Sequence, residues 1–397
     1  MQAGRVRGRW LTLFVLATST LAAELPAPET ERLVLAGAAV QKAQIAIDES
    51  GRPHIVSDQG RGGRRAFYSY FNGATWLTQE LRPPGAVVLS LNEPKIVFSR
   101  GCIYVTYWWR GVRAGAEEPW KACLQEIRSP STQPEFSGWL DLGEGASPAL
   151  NLDAEGRVVL TWRASATRFK YQAFDGLRPL GPPKDLMLIE ATFPGEYDVG
   201  CSSGNDSDID PEGTIHIACN NQEYGWFYSN SRMAETGQGV QLIAAPEESG
   251  CCHEWTVSSL AADRRQPGLL YFVIGGGDNR AYLVMRRGTR WSKPHLLASP
   301  ETEQSEKRAA PLIRALPEGG ALLAWMENRG GASDVYIGHL NWEGQIDARK
   351  RVAAGKNPRF ALDRDRMIHV VYTREGRLFY TRTTVPCVVD TAAGSPK

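Results

Sequence analysis

The chain has 397 residues, 42% hydrophobic and 22% charged, with a formal net charge of +1. Such a composition excludes an extended disordered chain. The near-neutral balance, with no Lys/Arg-rich run, argues against nucleic acid as a partner. Twelve Trp, 13 Tyr and 12 Phe beside 40 Gly, without helical runs, point to many short strands and tight turns.

In chain order, the first element is an export signal. Arg5, Arg7 and Arg9 precede a mostly apolar or small stretch from Trp10 to Leu21, and Thr20-Leu21-Ala22 supplies small residues for cleavage near Ala22 or Ala23. The apolar run is too short to span a bilayer, and no later segment could do so. Residues 1–22 are therefore expected to be removed, leaving one domain over 23–389 and a tail over 390–397. All seven cysteines, Cys102, Cys123, Cys201, Cys219, Cys251, Cys252 and Cys387, follow the signal. In an oxidising compartment some should pair, and the odd number leaves at least one over.

A repeat then begins. QIAIDESGRPHIVSD (44–58) has relatives in PALNLDAEGRVVLTWR (148–163), DSDIDPEGTIHIACN (206–220) and PRFALDRDRMIHVVYT (358–373). Looser copies start at Pro94, Ser258 and Pro311. One position of the second strand recurs seven times, as His54, Tyr104, Val159, His216, Tyr271, Leu322 and His369. The spacing of 47 to 57 residues suits a unit of four short antiparallel strands. Such a unit buries its faces only by stacking on neighbours around an axis. The expected fold is all-β, a seven-bladed β-propeller of four-stranded antiparallel blades. ERLVLAG (31–37) resembles the blade-ending strands QLIAAP (241–246) and KRVAAG (350–355), so it should complete the last blade and close the ring.

At the turn between the third and fourth strands of the first repeat stands SYFNGATW (69–76). It resembles the Asp box of the sialidase-like propellers, S-x-D-x-G-x-T-W: Ser69, Gly73, Thr75 and Trp76 match, and Phe71 stands where the Asp belongs. The resemblance implies this architecture over most of the mature chain. It also implies that the box lies on the face opposite an active site. The Arg-Ile-Pro motif of the sialidases is missing, so none of their catalytic residues is carried over.

Ligands of propellers gather where inner strands begin and second strands end. The loops assigned to that face are 77–93, 109–120, the long 177–205 and 246–257, with shorter ones at 59–65, 220–225, 275–280 and 327–333. Neighbouring blades four and five would gather His253, Glu254, Tyr197 and Asp206 there, groups suited to general acid–base chemistry, although the same residues could simply tie long loops together. Lys95, Arg110, Arg280, Arg329 and Arg359 are expected on the same face, where guanidinium forks suit a carboxylate. Trp108 and Trp120 could stack on sugar rings or pack between blades.

His54, His216 and His369 share a repeat position with Tyr, Val and Leu, so they read as packing residues between blades rather than metal ligands. Asp206, Asp208 and Asp210 read as strand alternation ending at a turn. No metal and no cofactor are expected. A Cys201–Cys219 bridge is plausible, and Cys251 and Cys252 could join each other or that set. A Cys102–Cys123 bridge is not expected, because antiparallel register places the two at opposite ends of adjacent strands. The reading is an exported, monomeric propeller that processes or recognises an anionic carbohydrate. A glycosidase, a polysaccharide lyase and a non-catalytic lectin or protein-binding platform all stay open. The divergent repeats favour one asymmetric site.

Overall fold

The computed structural model describes residues 31–35, 40–60, 65–113, 115–128, 134–193, 203–221, 225–244, 258–275, 281–298, 311–329 and 332–385. Their strands form seven antiparallel sheets, each one blade of a β-propeller. The inner strands are Val40–Ile47, Val87–Ser99, Ala146–Leu152, Ser203–Ile209, Ser258–Ala262, Leu312–Ala315 and Lys356–Leu362. Each touches the next, and the last touches the first, so the ring is closed. Blade seven consists of Lys356–Leu362, Met367–Arg374 and Arg377–Thr384, completed on its outer edge by Arg32–Leu35. The expected closing strand is therefore in place.

The reason for closure lies in the core. The buried apolar side chains fall into seven clusters, one for each seam between blades. The seam of blades seven and one, for example, joins Val371, Leu378 and Tyr380 to Val40, Ile45 and Ile55. No blade has a core of its own, so burial is achieved only when every blade has two neighbours. The recurring second-strand residues, His54 through His369, are all buried within these seams.

The three histidines do more than pack. Asp48, in the turn between the first two strands of blade one, accepts from the backbone N–H groups of Ser50 and Arg52 at 2.8 and 2.9 Å. Its other oxygen lies 3.2 Å from His54 Nε2, and His54 Nδ1 lies 2.7 Å from the Tyr68 hydroxyl. Burial pushes the Tyr68 hydroxyl well above its ordinary range, so it keeps its proton. Asp210–His216–Tyr228 and Asp363–His369–Tyr380 repeat the arrangement. These are polar staples within a blade, and they correct the reading of simple packing between blades. In blade five Tyr271 reaches Asp263 directly at 3.0 Å.

Several segments expected as loops carry strand. The hairpin of blade two extends over Val87–Ser99 and Cys102–Arg113, with a short strand at Ala116–Glu117, and so absorbs much of 77–93 and 109–120. The segment 177–205 holds the broken outer strand of blade three, Arg178–Pro179 and Lys184–Leu188, and a 3-10 turn at Ile189–Ala191. A short helix, Ser231–Glu235, was not expected; Asn230 caps it by accepting from Met233 N at 2.9 Å.

The box-like turn forms where the repeat places it. Gly73 takes a φ of 100°, a conformation that favours glycine. Asn72 provides the carboxamide acceptor for Ala74 N and Thr75 N at 3.0 and 2.9 Å. Trp76 closes over Phe71 with ring centroids 5.6 Å apart.

Candidate functional site

The inner strands share a local irregularity that builds the site. In blades one, two, three, four and seven, two inner-strand residues oppose one residue of the second strand at the entry end. This is a β-bulge, a device that re-aims side chains next to sites. The bulged pairs are Gln41-Lys42, Glu93-Pro94, Ser147-Pro148, Gly204-Asn205 and Asn357-Pro358. Proline fits here because a bulge frees it from donating to the ladder. Glu93, Ser147 and Asn357 take φ values of 49°, 48° and 53°. Non-glycine residues in this left-handed region cost ~1–3 kcal/mol each and concentrate at functional sites.

The bulges face the mouth of an axial cavity of about 360 Å³, lined by Gln44, Lys95, Asn151, Asp206, Asp208 and Arg314 among others. Around the mouth stand five cationic side chains, Lys42, Lys95, Arg163, Arg314 and Arg359. Three carboxylates, Asp58, Glu93 and Asp206, stand with them, and the groups are electrostatically linked through Lys42, Glu93, Lys95, Asp206 and Arg359. Among these described groups the cations outnumber the carboxylates by two.

Lys42 hydrogen-bonds Glu93 across the seam of blades one and two. Burial would raise the Glu93 carboxyl, but the charges of Lys42 and Lys95 outweigh it and hold Glu93 below its ordinary range. Asp58 accepts from Lys42 N at 2.8 Å. Its burial dominates over Lys42, and its pKa is pushed up to about 6. Burial also depresses Lys95, which Asp206 and Glu93 offset only in part. Burial, together with the nearby Arg314, pushes Arg359 down to about 10. Lys95 and Arg359 are therefore short of water and of counter-charge, the condition under which such groups bind an anion strongly.

Asp206 does join this mouth, beside Lys95 and Arg359. Its carboxylate is also tied to blade five, accepting from the Ser259 hydroxyl at 2.8 Å and from Leu260 N at 3.0 Å, with Arg314 at 3.8 Å. Asp208 repeats the tie one step along, accepting from Ala262 N at 2.8 Å and from Arg264 at 2.9 Å. Arg110 stays apart: it lies on a strand, not a loop, pairs with Glu117 at 3.3 Å and sits over the Trp120 ring. Trp108 and Trp120 pack against each other, with ring centroids 4.4 Å apart and planes tilted by 50°.

His253, Glu254, Tyr197 and Arg280 lie outside the described residues, and Arg329 ends the second strand of blade six, Ala321–Arg329. Cys201, Cys251 and Cys252 also lie outside them. Cys102 and Cys123 are free, as their register required, and burial pushes the Cys123 thiol up to about 12. No group of three or more His, Cys, Asp or Glu able to hold a metal occurs among the described residues.

Sequence reasoning missed Lys42, Asp58, Glu93, Arg163 and Arg314. A signal for part of the set was present in the repeats: Glu93-Pro94-Lys95, Ser147-Pro148-Ala149 and Asn357-Pro358-Arg359 align at the same offset.

No family profile and no curated protein sequence matches this chain. Solved structures do. The PL25 ulvan lyase, a polysaccharide lyase, superposes with a TM-score of 0.54 at 12% identity, covering 90% of this chain and 96% of its own. The polysaccharide lyase Uly1 gives 0.55 at 10% identity, covering 90% and 99%. The NanB sialidase of Streptococcus pneumoniae gives 0.48 at 12% identity, covering 91% and 71%. At these identities the likeness is one of fold.

Proposed function

We propose that this protein is an exported propeller that cleaves an acidic polysaccharide by β-elimination at the mouth of its channel. The observation that carries the proposal is the convergence of Lys95, Arg314 and Arg359 on one mouth beside Asp206. Elimination from a uronate needs two things. A cation must neutralise the carboxylate, so that the neighbouring C5 proton becomes acidic. A base must take that proton while the C4–O bond breaks, the C4–C5 double bond forms and the leaving oxygen gains a proton. Arg314 and Arg359 suit the first task. Lys95, depressed by burial, suits the second. Tyr197 and His253 are the other proton-transfer candidates and enter as variants. Two lyases share this fold, and the choice of elimination over hydrolysis rests on the cations at the mouth. Asp206 is engaged by blade five, which fits positioning better than the acid role a glycosidase would give it.

The test is incubation of purified protein with pectate, alginate, ulvan and heparin-type chains. The ultraviolet absorbance of the new double bond is followed beside the appearance of reducing ends. Turnover with both signals supports elimination, whereas reducing ends alone would make the protein a hydrolase. Arg359→Ala and Lys95→Met should each lower kcat by ~100-fold or more. His253→Ala and Tyr197→Phe decide whether those residues share the proton transfer. Saturable binding without turnover would refute the enzyme and leave a lectin.

A further inference from the structure

Two lysines at the mouth share one glutamate. Lys42 lies inside the bulge of blade one, and Lys95 follows the bulge of blade two. The Lys42 ammonium donates to Glu93 across the seam, and the Glu93 carboxylate is also attracted to Lys95. Asp58, on the second strand of blade one and only 4% exposed, fastens both bulges. Its carboxylate accepts from Lys42 N at 2.8 Å and from the backbone of Glu93. Glu93 holds its left-handed φ of 49° in this grip. Strain of that kind persists only where the surroundings over-determine it, and it collects at sites of chemistry.

The two amines are set apart by what surrounds them. Among the described residues, Glu93, Asp58 and Arg359 act on Lys42, while Asp206, Glu93, Arg359 and Lys42 act on Lys95. Burial would lower the Lys42 ammonium, but Glu93 and Asp58 outweigh it and hold it above its ordinary range, so it keeps its proton. Its side chain is also half-exposed, within reach of a ligand at the mouth. Lys95 is depressed by burial. Titratable groups whose surroundings push them apart are suited to opposite halves of one proton transfer.

We propose that Lys42 is the general acid of the elimination, giving its proton to the C4 oxygen as that oxygen leaves. The assignment rests on the elimination read at the mouth, in which the donor of that proton is open. Neutral Lys95 takes the C5 proton, and the C5–H electron pair becomes the C4–C5 double bond. The C4–O pair stays with the oxygen, which takes a proton from Lys42. Lys95 ends one proton richer and Lys42 one poorer. Return of that proton between the two amines that share Glu93 resets the site, with no proton gained or lost overall.

The experiment uses the full chain, the acidic polymer it cleaves and a matching uronoside carrying 4-nitrophenolate at C4. Nitrophenolate leaves without a proton donor, so it bypasses the acid and still needs the base. Lys42→Met should lower kcat by ~100-fold on the polymer and by less than ~5-fold on the nitrophenolate, whereas Lys95→Met should lose ~100-fold on both. The descending limb of kcat against pH, where Lys42 loses its proton, should be missing for Lys42→Met on the nitrophenolate. Glu93→Gln removes the charge that holds the Lys42 proton and should move that limb to lower pH. Lys42→Arg keeps the charge but gives up a proton far less readily, so it should fail on the polymer and work on the nitrophenolate. It serves as the test if Lys42→Met has a lowered thermal midpoint. No double bond formed by the natural chain from either kind of substrate overturns the elimination and this assignment together. Elimination that both Lys42 variants retain within ~3-fold, or lose equally on the two substrates, overturns the assignment alone.

Discussion

Replacing Asp210 by alanine tests the staple at its most loaded point. The residue is 8% exposed. It accepts from Glu212 N at 2.9 Å, Thr214 N at 2.8 Å and His216 Nε2 at 3.1 Å. The Glu212 amide can turn to water. The Thr214 and His216 donors are buried and would lose their acceptor, at ~1–3 kcal/mol each. A loss of ~3 kcal/mol follows. For a chain of this length the unfolding entropy is ~0.8 kcal/mol per degree, so the thermal midpoint should fall by ~4 °C. The charge adds a pH signature. Burial raises the Asp210 carboxyl, but the His216 and backbone hydrogen bonds outweigh it, and the folded pKa lies below the ordinary value of 3.8. That contribution is present above pH ~4 and is lost as pH falls through the folded pKa, so the variant should be less sensitive to acid. Denaturant midpoints of Asp210→Ala, His216→Ala and the double variant between pH 7 and 2 provide the assay. If the staple acts as a unit, the double variant costs at least ~1 kcal/mol less than the sum of the singles. A single variant melting within ~1 °C of the natural chain, or full additivity, would refute the reasoning.

Asp58 should behave with the opposite sign. Its folded pKa is raised to about 6, so its contribution is present below pH ~4 and is lost as pH rises through 6. Asp58→Asn, which stays neutral, should therefore gain on the natural chain as pH rises from 4 to 7, and denaturant midpoints at both pH values check this. Asn72→Ala removes the acceptor for two turn amides and should cost ~1 kcal/mol, read from the same midpoints. Deleting the chain through Leu35 strips the outer strand from Arg377–Thr384 and should produce oligomers or aggregates on size-exclusion chromatography, because an open edge is a template for pairing.

The ring was legible because burial repeats. A second-strand residue that must face a seam in every blade leaves a period even where its identity drifts from His54 to Tyr104 to Leu322. The closing strand was legible for the same reason, since Arg32–Leu35 carries the apolar pattern of the outer strands. The mouth was legible only in part. Lys95, Asp206 and Arg359 follow the bulges and keep the strand's alternation, so they could be placed. Lys42 and Glu93 lie inside the bulges, where an extra residue breaks the two-residue period and the expected facing fails. Arg163 and Arg314 looked like ordinary strand arginines, because nothing local marks the cavity they face. The polar staples were hidden differently: Asp210 and His216 were each visible, but the hydrogen bond between them depends on the turn bringing the two together.

The closing strand also fixes an order of events. Glu31 bonds Tyr372 and Arg374, and the Tyr372 contact spans 341 residues. At ~5–20 residues per second, roughly 20–70 s of synthesis separate the two partners. The first strand to emerge is therefore the last to be seated. Until then, blade seven lacks its outer strand and the seam of blades seven and one is unfinished.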